Sequence, residues 1–301
     1  MRIPAASLCF VSIAAASAGQ TPGPTPAPAP DPTAATVVLK VPGMERVRVR
    51  RGVVYARVDG KDLAADVYLP PAEWKGEPPI VVLQAGGAEN TKDWGIYTSL
   101  GRLLAASGFA AIPFNHRLRY PRRQYEEGAA DLAALLELLR REGRSLGVDG
   151  SRVAVAVFSG GGPMLSPLLR DRPAQVRCLA AFYAFLGTEH VNLAEAGITS
   201  EIARRYSPIA QLEARPSGLP PLFIARAGKD VIPGVNASID RFAAAALAHN
   251  VPFALVNHPA GSHVFDHRDD DARTREVLEM AIAFFRAHLG GASGSPPGPS
   301  S

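Results

Sequence analysis

Three residues, remote along the chain, have the types and the order for nucleophilic acyl transfer. Ser159 follows the strand-like run VAVAVF at 153–158, Asp230 follows LFIARAGK, and His263 lies in NHPAGSHVFD. A serine hydroxyl is a weak nucleophile at neutral pH. It becomes reactive when a neutral imidazole takes its proton and a carboxylate holds that imidazole in the right tautomer. The serine must also stand clear of its strand. A sharp strand-to-helix turn achieves this, and the glycines at 160–162 would relieve the crowding. The Gly160 N–H would then point at a carbonyl oxygen near a helix N-terminus. A helix N-cap also explains a serine here, but not three glycines after an apolar strand. A phosphate loop fits worse, because no Gly-Lys-Ser/Thr follows.

The other two positions have rivals. Asp266 and Asp240 are the alternative acids, and His258 is the reserve base. His258, His263 and His267 cluster with Asp266, which raises a metal site, yet no further ligand-like group accompanies them. No metal and no organic cofactor is expected.

These residues need a scaffold that gathers strand ends. RVRVRRGVVYARV and LAADVYL alternate with period two about an Asp59-Gly60 turn and read as antiparallel strands. Beyond them, apolar strands (PPIVVLQAGG, FAAIPFN, SRVAVAVF, VRCLAAFYAF, LPPLFIARAG, VPFALVNH) alternate with helical patterns, the clearest being EEGAADLAALLELLRREG. The predicted fold class is α/β, a mostly parallel central sheet with helices on both faces and N-terminal antiparallel strands. In such sheets ligands bind beyond the carboxyl ends of the strands, where Ser159, Asp230 and His263 fall.

With the elements in place, the folded region resembles the α/β-hydrolases, specifically the dienelactone-hydrolase-like and carboxylesterase group. The similarity covers most of residues 65–289. FSGGG resembles the nucleophile elbow, FNHRL at 114–118 a strand end of that group, LGVDGSRVAV the lead into the nucleophile strand, ARAGKD the acid turn and GSHVF the histidine loop. The chain order Ser, Asp, His is also that of the group. The resemblance implies a serine hydrolase that cleaves small carboxylic esters through an acyl-enzyme. It implies Ser159, Asp230 and His263 as catalytic residues, with Gly160 and either Gly87 or Ala88 as oxyanion donors. Three positions depart from the pattern. Val157 replaces the first elbow glycine, Ala85-Gly86-Gly87-Ala88 stands where the oxyanion loop has His-Gly-Gly-Gly, and Val264 follows the histidine where glycine is usual. Phe158, Tyr183, His116 and Trp94 are candidates to line the substrate pocket, Phe158 and Tyr183 equally being core candidates and His116 equally a structural one. Two rivals remain at this point, a peptidase of the prolyl-oligopeptidase kind and a secreted binding protein that kept the fold and lost catalysis.

Composition narrows the partners. The 301 residues carry a formal charge of +4, without a dense Lys/Arg block, so nucleic acid is not an expected partner. A small-molecule ester is. The arginines at 117, 119, 122 and 123 could attract an acidic substrate or simply form a solvated face. Residues 1–18 read as a cleaved signal peptide ending in Ala16-Ser17-Ala18, 19–36 as a Pro-rich linker, 37–289 as the hydrolase domain and 290–301 as a disordered tail. Export to the periplasm or medium is the expectation, with no membrane span; oligomeric state is left open. Cys178 alone remains after cleavage, which excludes an intramolecular disulfide.

Overall fold

The computed structural model describes residues 34–290, Glu89 and Pro121 excepted. The signal-peptide and tail readings, and most of the Pro-rich linker, lie outside these residues. Eight strands form one sheet: β1 (Arg48–Val58), β2 (Lys61–Leu69), β3 (Pro79–Gln84), β4 (Ala110–Pro113), β5 (Asp149–Phe158), β6 (Val176–Phe182), β7 (Leu222–Ala227) and β8 (Phe253–His258). Their order is β1-β2-β4-β3-β5-β6-β7-β8. The pairs β1–β2 and β2–β4 are antiparallel, and every later pair is parallel. The first hairpin closes at Asp59 and Gly60, with φ of 49° and 74°, the left-handed pair that a tight two-residue turn requires.

Among the described residues the helices are α1 (Gly95–Ala106), α2 (Tyr125–Leu146), α3 (Leu165–Asp171), α4 (Leu193–Ala196), α5 (Ser200–Arg205), α6 (Pro208–Ala214), α7 (Val235–Ala248), α8 (Phe265–Arg268) and α9 (Ala272–Leu289). Two apolar layers sandwich the sheet. Val153, Val155 and Val157 of β5 face a core shared with α2, α3 and α7, while Ala154, Ala156 and Phe158 face the core under α1 and α9. The alternating Val and Ala thus describe two faces of one buried strand, bulky residues on one side and small ones on the other. Cys178 lies in β6, wholly buried, and desolvation pushes its thiol pKa up to about 12; it is an inert core residue.

The topology also sets the position of the site. From β3 the chain moves to β4 on one side, then crosses back to β5 on the other. That reversal opens a crevice between the carboxyl ends of β3 and β5. Gly86 and Gly87 follow β3, and Ser159 follows β5.

Candidate active site

The elbow is strained where the chemistry sits. Phe158 is extended, at φ −126° and ψ 135°, and Ser159 turns abruptly to φ 50°. A non-glycine residue in this left-handed region costs on the order of 1–2 kcal/mol. None of the three following glycines has positive φ; a 3-10 turn over Ser159–Met164 carries the chain into α3. The glycines are needed because other groups approach too closely for a Cβ. One on Gly162 would stand 1.9 Å from the Phe185 carbonyl oxygen, and one on Gly160 would stand 2.2 Å from the Tyr120 hydroxyl. The expected relief of crowding is therefore steric, with the torsional strain left on the serine.

The structure brings Ser159, His263 and Asp230 together. His263 Nδ1 lies 2.6 Å from Asp230 Oδ2, and its Nε2 lies 2.9 Å from Ser159 Oγ. With an ionised carboxylate as acceptor, Nδ1–H donates, which leaves the Nε2 lone pair facing the serine hydroxyl. The Asp230 side chain has no exposed surface, and its Oδ1 accepts the Ile232 N–H at 2.9 Å. Backbone bonds lace the acid turn to the histidine loop: Gly228 N–H to the His258 carbonyl and Lys229 N–H to the Gly261 carbonyl, both 2.8 Å. Val264, where glycine was the expected type, sits at φ 65°. A β-branched side chain there is a true backbone outlier.

The rivals are engaged elsewhere. Asp240 pairs with Arg226 at 2.8 Å. Asp266 accepts the Tyr183 hydroxyl at 2.8 Å, and His258 Nε2 lies 3.0 Å from Thr274 Oγ1. Among the described residues no group of three His, Cys, Asp or Glu side chains is placed to hold a metal.

A cavity of about 480 Å³ opens beside the triad. Trp94, Phe158 and Tyr183 line it together with Ser159, Gly160, Gly87, Ala88 and His263. His116 does not. It is 1% exposed, packed edge-on against Phe114 at 5.4 Å, and burial lowers its pKa to about 3. Its place just past β4 turned it into the core, which corrects the expectation that it lines the pocket. Ala88 is also spoken for, because its N–H donates to the Gly86 carbonyl at 3.0 Å; no hydrogen bond of the Gly87 N–H is seen among the described residues. A larger depression of about 590 Å³ beside α2 and α3 contains none of the triad residues.

Behind His263 lie contacts that its sequence neighbours do not announce. The Tyr183 ring stands edge-on to the His263 ring at 4.9 Å, and Tyr183 ties that contact to buried Asp266. Burial first, then the Asp266 charge, raises the Tyr183 pKa well above its ordinary value, so the phenol stays protonated and donates. Asp266 Oδ2 in turn lies 3.1 Å from His267 Nδ1. A Tyr at a strand end and an Asp-His pair on a one-turn helix offered no spacing signal for this.

No family model and no curated protein matches the chain. Solved structures do. A thermophilic esterase from Thermogutta terrifontis, with propionate bound, aligns at a TM-score of 0.67 and 21% identity, covering 84% of this chain and 98% of its own. The same esterase phosphoramylated by tabun gives the same figures. A thermostable esterase from Pseudomonas putida aligns at a TM-score of 0.62 and 20% identity, over 81% of this chain and 83% of its own. Strand order, the crossover at β3 and these likenesses agree: the chain has the α/β-hydrolase fold.

Proposed function

We propose that the protein is a serine hydrolase of small carboxylic esters, and the observation that carries this reading is the hydrogen-bonded line from Ser159 through His263 to Asp230. Ser159 Oγ attacks the ester carbonyl carbon while His263 Nε2 takes its proton. The carbonyl oxygen becomes an oxyanion, held by the N–H groups of Gly160 and Gly87; the occupied Ala88 N–H favours Gly87 as the second donor. The C–O bond to the alcohol breaks, His263 returns the proton to the departing oxygen, and the acyl group stays on Ser159. Water then attacks the acyl carbon with His263 as base, releasing the acid and restoring the serine. Asp230 orients the imidazole and stabilises its protonated form throughout.

A cavity of about 480 Å³ with an aromatic wall suits a small, largely apolar ester. The propionate held by the Thermogutta esterase supports short acyl chains as first substrates. A lost-activity binding protein does not account for a hydroxyl, imidazole and carboxylate aligned in one tautomer, and nothing in the site favours the peptidase alternative. The leader-like composition of residues 1–18, an apolar run ending in Ala16-Ser17-Ala18, supports export. Replacing Ser159→Ala is expected to lower kcat/KM for p-nitrophenyl acetate and butyrate on the order of 10⁴-fold or more, with the thermal unfolding transition retained. Wild-type rates in that variant would defeat the proposal.

A further inference from the structure

The arginine cluster between β4 and α2 separates, in the structure, into four different situations. Arg117 is spent on buried Asp131, with its Nη2 2.6 Å and its Nε 3.0 Å from Oδ1. Arg119 donates to the carbonyls of Ala88 and Leu118. Arg122 is exposed and does not line the cavity. Arg123 does line it, and it is the one side chain of fixed charge among the described residues that do. Among the described residues no carboxylate lines the cavity and none forms an ion pair with Arg123.

The guanidinium is held in place, not waving in solvent. Its Cζ stacks 3.8 Å from the centroid of the Tyr120 ring, and its main chain is anchored by a bond from its N–H to the Ala196 carbonyl at 3.2 Å, which ties it to α4. Tyr120 also covers the oxyanion glycines. Its hydroxyl lies 3.2 Å from the Gly160 carbonyl oxygen, and a Cβ on Gly87 would meet its ring at 2.3 Å. One aromatic ring therefore touches both the charge and the place where the ester carbonyl must sit. Arg123 Nη1 is buried and has no hydrogen-bond partner among the described residues. Burial raises the Tyr125 pKa, and the Arg123 charge and a side-chain contact with Arg123 work against that rise; the contact falls short of hydrogen-bond geometry at Nη1, so it is a loose one. A buried N–H of a charged group left unpaired is costly, and such donors in native proteins ordinarily have an acceptor. An arginine fork matches a carboxylate better than any other small acceptor except phosphate.

We infer that the pocket selects esters that carry a carboxylate, with Arg123 as the residue that recognises it. This rests on the ester-hydrolase reading of the same site and adds the substrate class. The ester carbonyl sits at Ser159 beneath the Gly160 and Gly87 amides, and the substrate's second, ionised carboxyl group reaches past Tyr120 to the guanidinium.

Two matched pairs of substrates test it. Mono-4-nitrophenyl glutarate against 4-nitrophenyl pentanoate places the charge on the acyl side; 4-acetoxybenzoate against 4-methylphenyl acetate places it on the leaving group. In the wild-type enzyme the anionic member of at least one pair should have the higher kcat/KM, by about 10–100-fold, the usual worth of a charge-assisted hydrogen bond. In Arg123→Gln that ratio should fall to about one or below, and Arg123→Lys should keep part of it. Because the ratio is taken within each variant, a general loss from disturbing the Tyr120 stack cancels. A ratio of one or less in both pairs for the wild type, or a preference that survives in Arg123→Gln, overturns the inference while leaving ester hydrolysis standing. Turnover of none of the four esters overturns the hydrolase reading and this inference with it.

Discussion

At the scale of single residues, the site depends on a side chain that orients another. Asp230 touches no reacting atom, yet it fixes which nitrogen of His263 keeps its proton. Asp230→Asn preserves the shape and can still accept a hydrogen bond from the ring, or donate one and force the other tautomer. In the second case Nε2–H faces Ser159 and no base is available. The expected result is a fall in kcat on the order of 10³–10⁴-fold, with little change in KM, read from steady-state hydrolysis of p-nitrophenyl butyrate. A change of less than about tenfold would mean that His263 is oriented by something else. These roles were legible from residue type and chain order, because the chemistry admits few alternatives: a hydroxyl after an apolar strand, an acid after another, an imidazole after a third. The company they keep was not legible. Phe158 and Tyr183 fitted both wall and core, and the structure gives them both duties, buried yet lining the cavity. Which arginine of four would pair with a carboxylate, and which would line the cavity, could not be read from a cluster. That outcome depends on where Asp131 of α2 falls in space, and it falls beside Arg117.

At the scale of elements, period and punctuation carried most of the fold. The alternation VAVAV, the Asp59-Gly60 turn and the helical spacing of α2 each locate an element, and β5 and α2 appear within a few residues of their expected bounds. The shape of the elbow did not follow from the pattern. Three glycines suggested a backbone that needs freedom, whereas the positive φ belongs to Ser159 and the glycines make room for Tyr120 and Phe185. A single sequence reports that a position is small; only the packed neighbours report why. The same holds for the histidine loop. Valine at 264 in place of glycine read as a departure from a pattern, and it is one the backbone accepts at φ 65° rather than avoids. The short helices α4–α6 between β6 and β7 had no period long enough to predict. They matter because the Ala196 carbonyl of α4 anchors Arg123.

At the scale of the whole molecule, the order of strands selects where function can sit, and burial sets how the fold responds to acid. His116 illustrates the second point. It is buried without a hydrogen-bond partner for either ring nitrogen among the described residues, and desolvation holds its pKa near 3 against an ordinary 6.5. The folded pKa is the lower one, so in the interval between the two values the unfolded chain binds the extra proton. Stability from this group is therefore complete above about pH 6.5 and is lost as the pH falls toward 3, by about 1.4 kcal/mol per pH unit. Urea unfolding at pH 7 and pH 4.5 should show His116→Leu losing about 2–3 kcal/mol less than wild type over that interval. Equal losses in the two proteins would mean that His116 is charged, or solvated, in the folded state. The first point bears on the active site directly. The crossover at β3 leaves the ends of β3 and β5 facing one crevice, so a serine after β5 and glycine amides after β3 meet there without any further device. The most direct test of the whole account is intact-protein and peptide mass spectrometry after treatment with a fluorophosphonate, which reacts only with a serine whose proton is being withdrawn. The account predicts one adduct per chain, on the peptide that contains Ser159, absent in Ser159→Ala and in His263→Ala. An unmodified wild-type chain, or an adduct on any other residue, would contradict it.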